Sequence, residues 1–228
     1  MLFLAPGASI GSAISGYRAL TKGKYKIIAP DYLGRGKSSN LKNGNYIKES
    51  AKVISDLVER LKLNEVTIVA VSYGTMVANE MAKQGLPEPI KKIILIAPGE
   101  YFSPEQRALL KGLFIPANTF GKIQTLYERL IFGKYGFMDK PEDVDRETLN
   151  KQWMETLDYE IKTRKGTQIP CLLICFSKDK IVDKESIEKL KRIYRNNEIL
   201  WFDEEHPLRN EDMKKLNRTV MKKIKKLI

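Results

Sequence analysis

Six short apolar runs, rich in branched residues and mostly closed by loop signals, constrain this chain more than any other feature. They are LFLA (2–5), KIIA (26–29), VTIVAV (66–71), KIILIA (92–97), CLLICF (171–176) and EILWF (198–202). Runs of this length and kind read as strands buried on both faces, the habit of parallel sheets. Between them, stretches over 46–62 and 74–84 carry helical periodicity, as right-handed strand-helix-strand crossovers require. The pattern predicts an α/β class: a parallel sheet of about six strands flanked by helices.

One segment breaks the rhythm. From Tyr101 to Thr167 no strand-like run occurs, and the pieces 104–113, 120–132 and 145–164 look helical. Helices inserted there would stand over the carboxyl ends of the strands, where open α/β sheets bind ligands. The expected organisation is a core of residues 1–100 and 168–228 with a helical cap, or lid, of residues 101–167. A length of 228 residues suits one good core and falls short of two independent domains.

Composition narrows the function classes. The two cysteines, Cys171 and Cys175, lie in one strand-like run and would stand roughly 13 Å apart at strand rise, too far for a disulfide. With a single histidine and no further thiol, a Cys/His zinc site has no ligand set, and no metal is expected. A reducing cytoplasm is the expected location. The first residues, MLFLAPGASIGS, lack a basic region and a signal-length apolar stretch, and no run approaches the length of a membrane span. The net charge of +12, from 40 Lys+Arg against 28 Asp+Glu, invites a nucleic-acid reading, but the lysines are spread along the chain. Their densest cluster, Lys214 to Lys226, interleaves with Leu216, Val220, Ile224 and Leu227 and reads as the solvated face of a C-terminal amphipathic helix. No nucleic-acid partner is expected.

VTIVAV runs directly into Ser72-Tyr73-Gly74-Thr75 and then into MVANEMAKQ, giving strand, sharp turn and helix with serine at the apex. A serine so placed can cap the helix or stand exposed as a nucleophile, and the local pattern alone does not choose. Two other residues tip the balance. The only histidine, His206, follows the last apolar run, and Asp179 follows CLLICF, so the order along the chain is Ser, Asp, His.

These residues carry a resemblance. Ala70-Val71-Ser72-Tyr73-Gly74 resembles the G-x-S-x-G nucleophile elbow of the α/β-hydrolase superfamily, with Ala70 at the first glycine position. Ser177-Lys178-Asp179-Lys180-Ile181-Val182 resembles its acid turn, and His206, preceded by Glu205 in place of glycine, stands where the family has its base. Asp31-Tyr32-Leu33-Gly34-Arg35-Gly36-Lys37-Ser38 matches the D-x-x-G-x-G-x-S turn, a scaffold element with no catalytic role assigned. Leu4-Ala5-Pro6-Gly7-Ala8-Ser9 resembles the loop that supplies one oxyanion amide, with Pro6 replacing a histidine. Members usually have two strands and a hairpin before that loop's strand, whereas this chain opens on it at Leu2. The first two strands are thus expected to be absent, either in a minimal form with 26–29 at a sheet edge guarded by Lys22, Lys24 and Lys26, or because the start lies downstream of the true one.

The resemblance implies a triad of Ser72, Asp179 and His206 with oxyanion donors at the amides of Ala8 and Tyr73, and no cofactor. A neutral imidazole can take the serine proton near pH 7. An aspartate orients it and stabilises its cation. The expected function is hydrolysis of a small carboxylic ester or thioester through an acyl-enzyme on Ser72. A serine at the elbow speaks against haloalkane dehalogenase or epoxide hydrolase chemistry, for which relatives use a carboxylate nucleophile. Acyl transfer and carbon–carbon bond hydrolysis stay open, as does a non-catalytic ligand-binding protein on the same fold, and Glu100, after the run KIILIAPG, is an alternative acid.

Overall fold

The computed structural model of the chain describes residues 2–4, 25–108, 111, 146–162 and 166–206. The expected helices over 120–132 and near the C-terminus, and the loop around Ala8, lie outside them. Five strands form one sheet: β1 (Leu2–Leu4), β2 (Val66–Val71), β3 (Ile90–Ile96), β4 (Cys171–Phe176) and β5 (Asn197–Phe202). They lie side by side in that order and all pair in parallel. The run 26–29 makes only a single bridge at Ile28 among the described residues. Pro30 brings no amide proton and Lys26 prefers water, so little of this run can extend a ladder.

Strand alternation divides the core. Ile68, Ala70, Ile93, Leu95, Cys171, Leu173 and Cys175 face one side, and Val69, Val71, Ile94, Ile96, Leu172, Ile174 and Phe176 face the other. Against the first face pack helices α1 (Tyr46–Arg60), α2 (Tyr73–Gln84) and α4 (Ser186–Ile193). In α1, Ile47, Ala51, Ile54 and Val58 repeat every three or four residues and are all buried. Burial of each of the branched residues Ile47, Ile54 and Val58 contributes about 1.5–3 kcal/mol. Asn45 caps the helix, its side chain accepting from the Lys48 amide at 3.0 Å.

Helix α3 (Arg146–Asp158) belongs to the expected insertion and packs on α1. Gln152 is its principal anchor, donating to the Leu33 carbonyl at 3.0 Å and accepting from Arg35 Nε at 2.8 Å. Glu155 accepts from the Tyr46 amide at 2.6 Å. The helix ends at Asp158, six residues short of the expected boundary, because Tyr159 and Ile161 turn into the core on either side of exposed Glu160.

The turn after residue 30 explains its glycines. Asp31 accepts from the Lys37 amide at 3.1 Å, and the Ser38 hydroxyl donates to the Asp31 carbonyl at 2.9 Å. Gly36 has φ 53°, and a Cβ there would come within 2.5 Å of the Asp31 carboxylate.

Candidate active site

The carboxyl ends of β2, β3, β4 and β5 bring four side chains together. Ser72 joins β2 to α2 in one residue and has φ 51° and ψ −117°, a conformation that costs a non-glycine residue about 1–3 kcal/mol. Its neighbours enforce it. The Ser72 amide donates to the Ile96 carbonyl at 2.9 Å, and the Ser72 carbonyl accepts from the Thr75 amide at 2.8 Å and the Thr75 hydroxyl at 2.7 Å. The side chain makes no capping bond to α2, which removes the helix-cap alternative. Ala70, buried in register with Leu4 and Leu95, sits where a small residue is needed beneath the turn.

The hydroxyl of Ser72 instead meets His206 Nε2 at 2.9 Å. His206 Nδ1 lies 2.6 Å from Asp179 Oδ2. The other Asp179 oxygen accepts from the amides of Ile181 at 2.8 Å and Val182 at 3.0 Å. The three residues are 3%, 8% and 5% exposed for Ser72, Asp179 and His206, so little water competes for these bonds. Burial on its own would raise the Asp179 carboxyl. The hydrogen bond with His206, the charge of that ring when it is protonated, and the two amides outweigh it and hold that carboxyl below its ordinary value.

Two loops are tied together to make this approach. The Ser177 hydroxyl donates to Asp203 at 2.7 Å, Lys178 pairs with Asp203 at 2.8 Å, and the Lys178 amide donates to the Glu204 carbonyl at 3.1 Å. The segment that carries His206 is thereby fastened to the turn that carries Asp179. Glu100, the other candidate acid, is fully buried and engaged elsewhere. It pairs with Lys189 at 2.8 Å and Arg107 at 3.5 Å and accepts from the Ile161 amide at 2.7 Å.

Tyr73 begins α2, so its amide has no acceptor within the helix. Its ring meets Tyr32 edge-on at 5.3 Å, and the Arg35 guanidinium lies 5.1 Å from its centre. Arg35, from the turn read as scaffold, thus touches the residue next to Ser72. The fourth side chain at the centre is Tyr101, whose hydroxyl is hydrogen-bonded to Ser72 Oγ. Sequence reasoning marked Tyr101 only as the first residue of the insertion. Its signal was position, since it follows the strand beside the one that ends in Ser72, at the carboxyl edge of the sheet. Among the described residues, no three His, Cys, Asp or Glu side chains are grouped to hold a metal ion. No described helix is long and apolar enough to cross a membrane.

Comparison with known proteins decides the family. A model described as the alpha/beta hydrolase fold matches residues 7–124, just over half of the chain. The chain belongs to the alpha/beta-hydrolase family. Among solved structures of this family's fold, an esterase from Exiguobacterium antarcticum has a TM-score of 0.73 at 18% identity, covering 98% of this chain and 91% of that one. A lipase-esterase related protein from Clostridium acetobutylicum has a TM-score of 0.73 at 16% identity, covering 100% and 93%. These likenesses show the alpha/beta-hydrolase fold. Uncharacterized proteins of Mycobacterium bovis and Mycobacterium tuberculosis are 33% identical over 85 residues, which is 37% of this chain. The chain spans about a quarter of the length of these curated relatives.

Proposed function

We propose that this alpha/beta-hydrolase family member is a serine hydrolase that cleaves a small carboxylic ester or thioester through an acyl-enzyme on Ser72. The observation that carries the reading is the unbroken run of hydrogen bonds from Ser72 through His206 to Asp179. Proton directions along it follow one from another. Asp179, held as a carboxylate, only accepts, so His206 Nδ1 donates to it. In the neutral ring Nε2 is then bare and accepts from the Ser72 hydroxyl, which is the arrangement general-base activation requires.

Attack by Ser72 Oγ on the carbonyl carbon passes the serine proton to Nε2, and the carbonyl electrons move onto oxygen. The Tyr73 amide, and that of Ala8 as the sequence suggests, would hold this oxyanion. His206 returns the proton to the leaving heteroatom as its bond to carbon breaks. Water, giving a proton to the same nitrogen, then releases the acid and restores Ser72. The reaction calls on no cofactor. Residues 101–167 are read as a cap over this centre, with α3 as its described anchor. The names of the two esterase-related neighbours favour the ester class.

The test is hydrolysis of p-nitrophenyl esters of graded chain length by wild type, Ser72→Ala and His206→Ala. Each variant is expected to lose at least ~1000-fold in kcat, as removal of a triad member does. A folded wild type that neither turns over such esters nor reacts with a fluorophosphonate would support the ligand-binding alternative instead.

A further inference from the structure

We propose that Tyr101 is a further catalytic residue, whose hydroxyl passes its hydrogen bond from Ser72 Oγ to the leaving-group heteroatom as the acyl-enzyme forms. The proposal rests on the serine-hydrolase reading above. It begins from the one side chain besides His206 whose polar atom bonds to Ser72 Oγ among the described residues. The serine hydroxyl has a single proton, and that proton is directed at His206. Oγ can therefore only accept from Tyr101, and the phenol must donate. Burial, which raises the phenol above its ordinary range, keeps the donor proton in place at any working pH.

The position of Tyr101 is built in. Its backbone bridges Val182, and the next amide, that of Phe102, donates to the Ile181 carbonyl at 2.6 Å. Ile181 and Val182 are the two residues whose amides hold Asp179. Tyr101 and the acid thus stand on one support, and the Tyr101 ring meets the His206 ring edge-on at 6.2 Å.

Sheet order says which part of a substrate the phenol meets. β3 lies between β2, which ends in Ser72, and β4, which leads to Asp179, whereas β1 lies on the far side of β2. Tyr101 therefore approaches Ser72 from the His206 side, away from the β1 edge. The leaving group must depart toward His206, because that is the group that protonates it. As Oγ spends a lone pair on the new bond to carbon, it becomes a poorer acceptor, while the departing heteroatom gathers charge. The hydrogen bond moves accordingly. Tyr101 keeps its proton throughout, and the proton acquired by the leaving group comes from His206.

Such help matters most where the departing atom is a strong acceptor that holds its charge locally. Alkyl esters fit this description, and aryl esters with delocalised leaving groups or thioesters fit it poorly. Within the proposed function, the substrate class narrows to oxygen esters of aliphatic alcohols.

The experiment compares kcat/KM of wild type and Tyr101→Phe on p-nitrophenyl, phenyl, trifluoroethyl and ethyl esters of one acid, with Ser72→Ala as background. Phenylalanine keeps the buried ring, and the ratio between esters within one variant cancels any loss of folded protein. The expected result is a loss of roughly 10–100-fold on the ethyl ester, the effect of one hydrogen bond to a charged group, against less than about 3-fold on the p-nitrophenyl ester. An equal loss on all four esters, or no loss on any, would overturn the leaving-group role and leave the serine-hydrolase reading intact. Absence of any Ser72-dependent hydrolysis in wild type would overturn both.

Discussion

Ser72, the proposed nucleophile, sits in a locally distorted backbone. Its φ of 51° puts the backbone where glycine is at ease and serine is not. The strain is held by bonds to Ile96 and Thr75, and it lifts Oγ clear of α2 toward His206. Alanine at this position keeps the distortion and loses the hydroxyl, whereas glycine relieves it. Ser72→Gly is therefore expected to be more stable than Ser72→Ala by about 1 kcal/mol, read from paired denaturant titrations, with both inactive. Equal stability would mean that the turn relaxes when the hydroxyl is removed. At the same scale, Ala70 and Glu205 replace the glycines of the resembled motifs, yet Ser72 and His206 still meet.

Among elements, the residues that follow β3 show the sharpest division of labour. Ala97, Gly99 and Phe102 all have positive φ, and a Cβ on Gly99 would come within 2.4 Å of the Ser186 hydroxyl. This contorted segment sends adjacent side chains to different tasks. Tyr101 reaches Ser72, while Glu100 gathers Lys189, Arg107 and the Ile161 amide. Arg107 also donates to the Tyr159 carbonyl at 3.2 Å. One buried carboxylate thereby fastens Arg107 and Ile161, residues near the two described ends of the expected 101–167 insertion, to the core. Glu100→Gln should cost about 3 kcal/mol, the low end for breaking a buried pair because Lys189 reaches solvent, and should leave most of the proposed esterase activity. Asp179→Asn should do the reverse, keeping most of the stability and losing most of the kcat through a misdirected imidazole. Thermal melts and ester kinetics on the two variants separate these outcomes; activity that follows Glu100 would return the acid's role to it.

The whole molecule is organised around a sheet whose middle strands are buried on both faces. In β4 every residue is buried, including the free thiols of Cys171 and Cys175. Burial pushes the Cys175 thiol up to about 12, with the Asp179 charge adding to it, and raises Cys171 as well. Both should resist a disulfide reagent in the native protein and react at once in guanidinium; their slow native rate then measures opening of the sheet. Fast native reaction would place the opening in β4 alone. Much of this architecture was legible in the sequence, because strand alternation, turn glycines and the helical period of α1 act over a few residues. Among the described residues five of the six expected strands appear and 26–29 makes a single bridge at Ile28, since a run ending at Pro30 offers few ladder bonds. The sequence also determined the candidate triad, because there is one histidine and because Ser72 and Asp179 each follow a buried run. Tertiary structure alone decided which acid meets His206, that Ser72 caps nothing, and that Tyr101 stands at the centre. Those outcomes depend on bonds between residues 27, 29 and 134 positions apart, and no local propensity sets the angle at which distant strand ends converge.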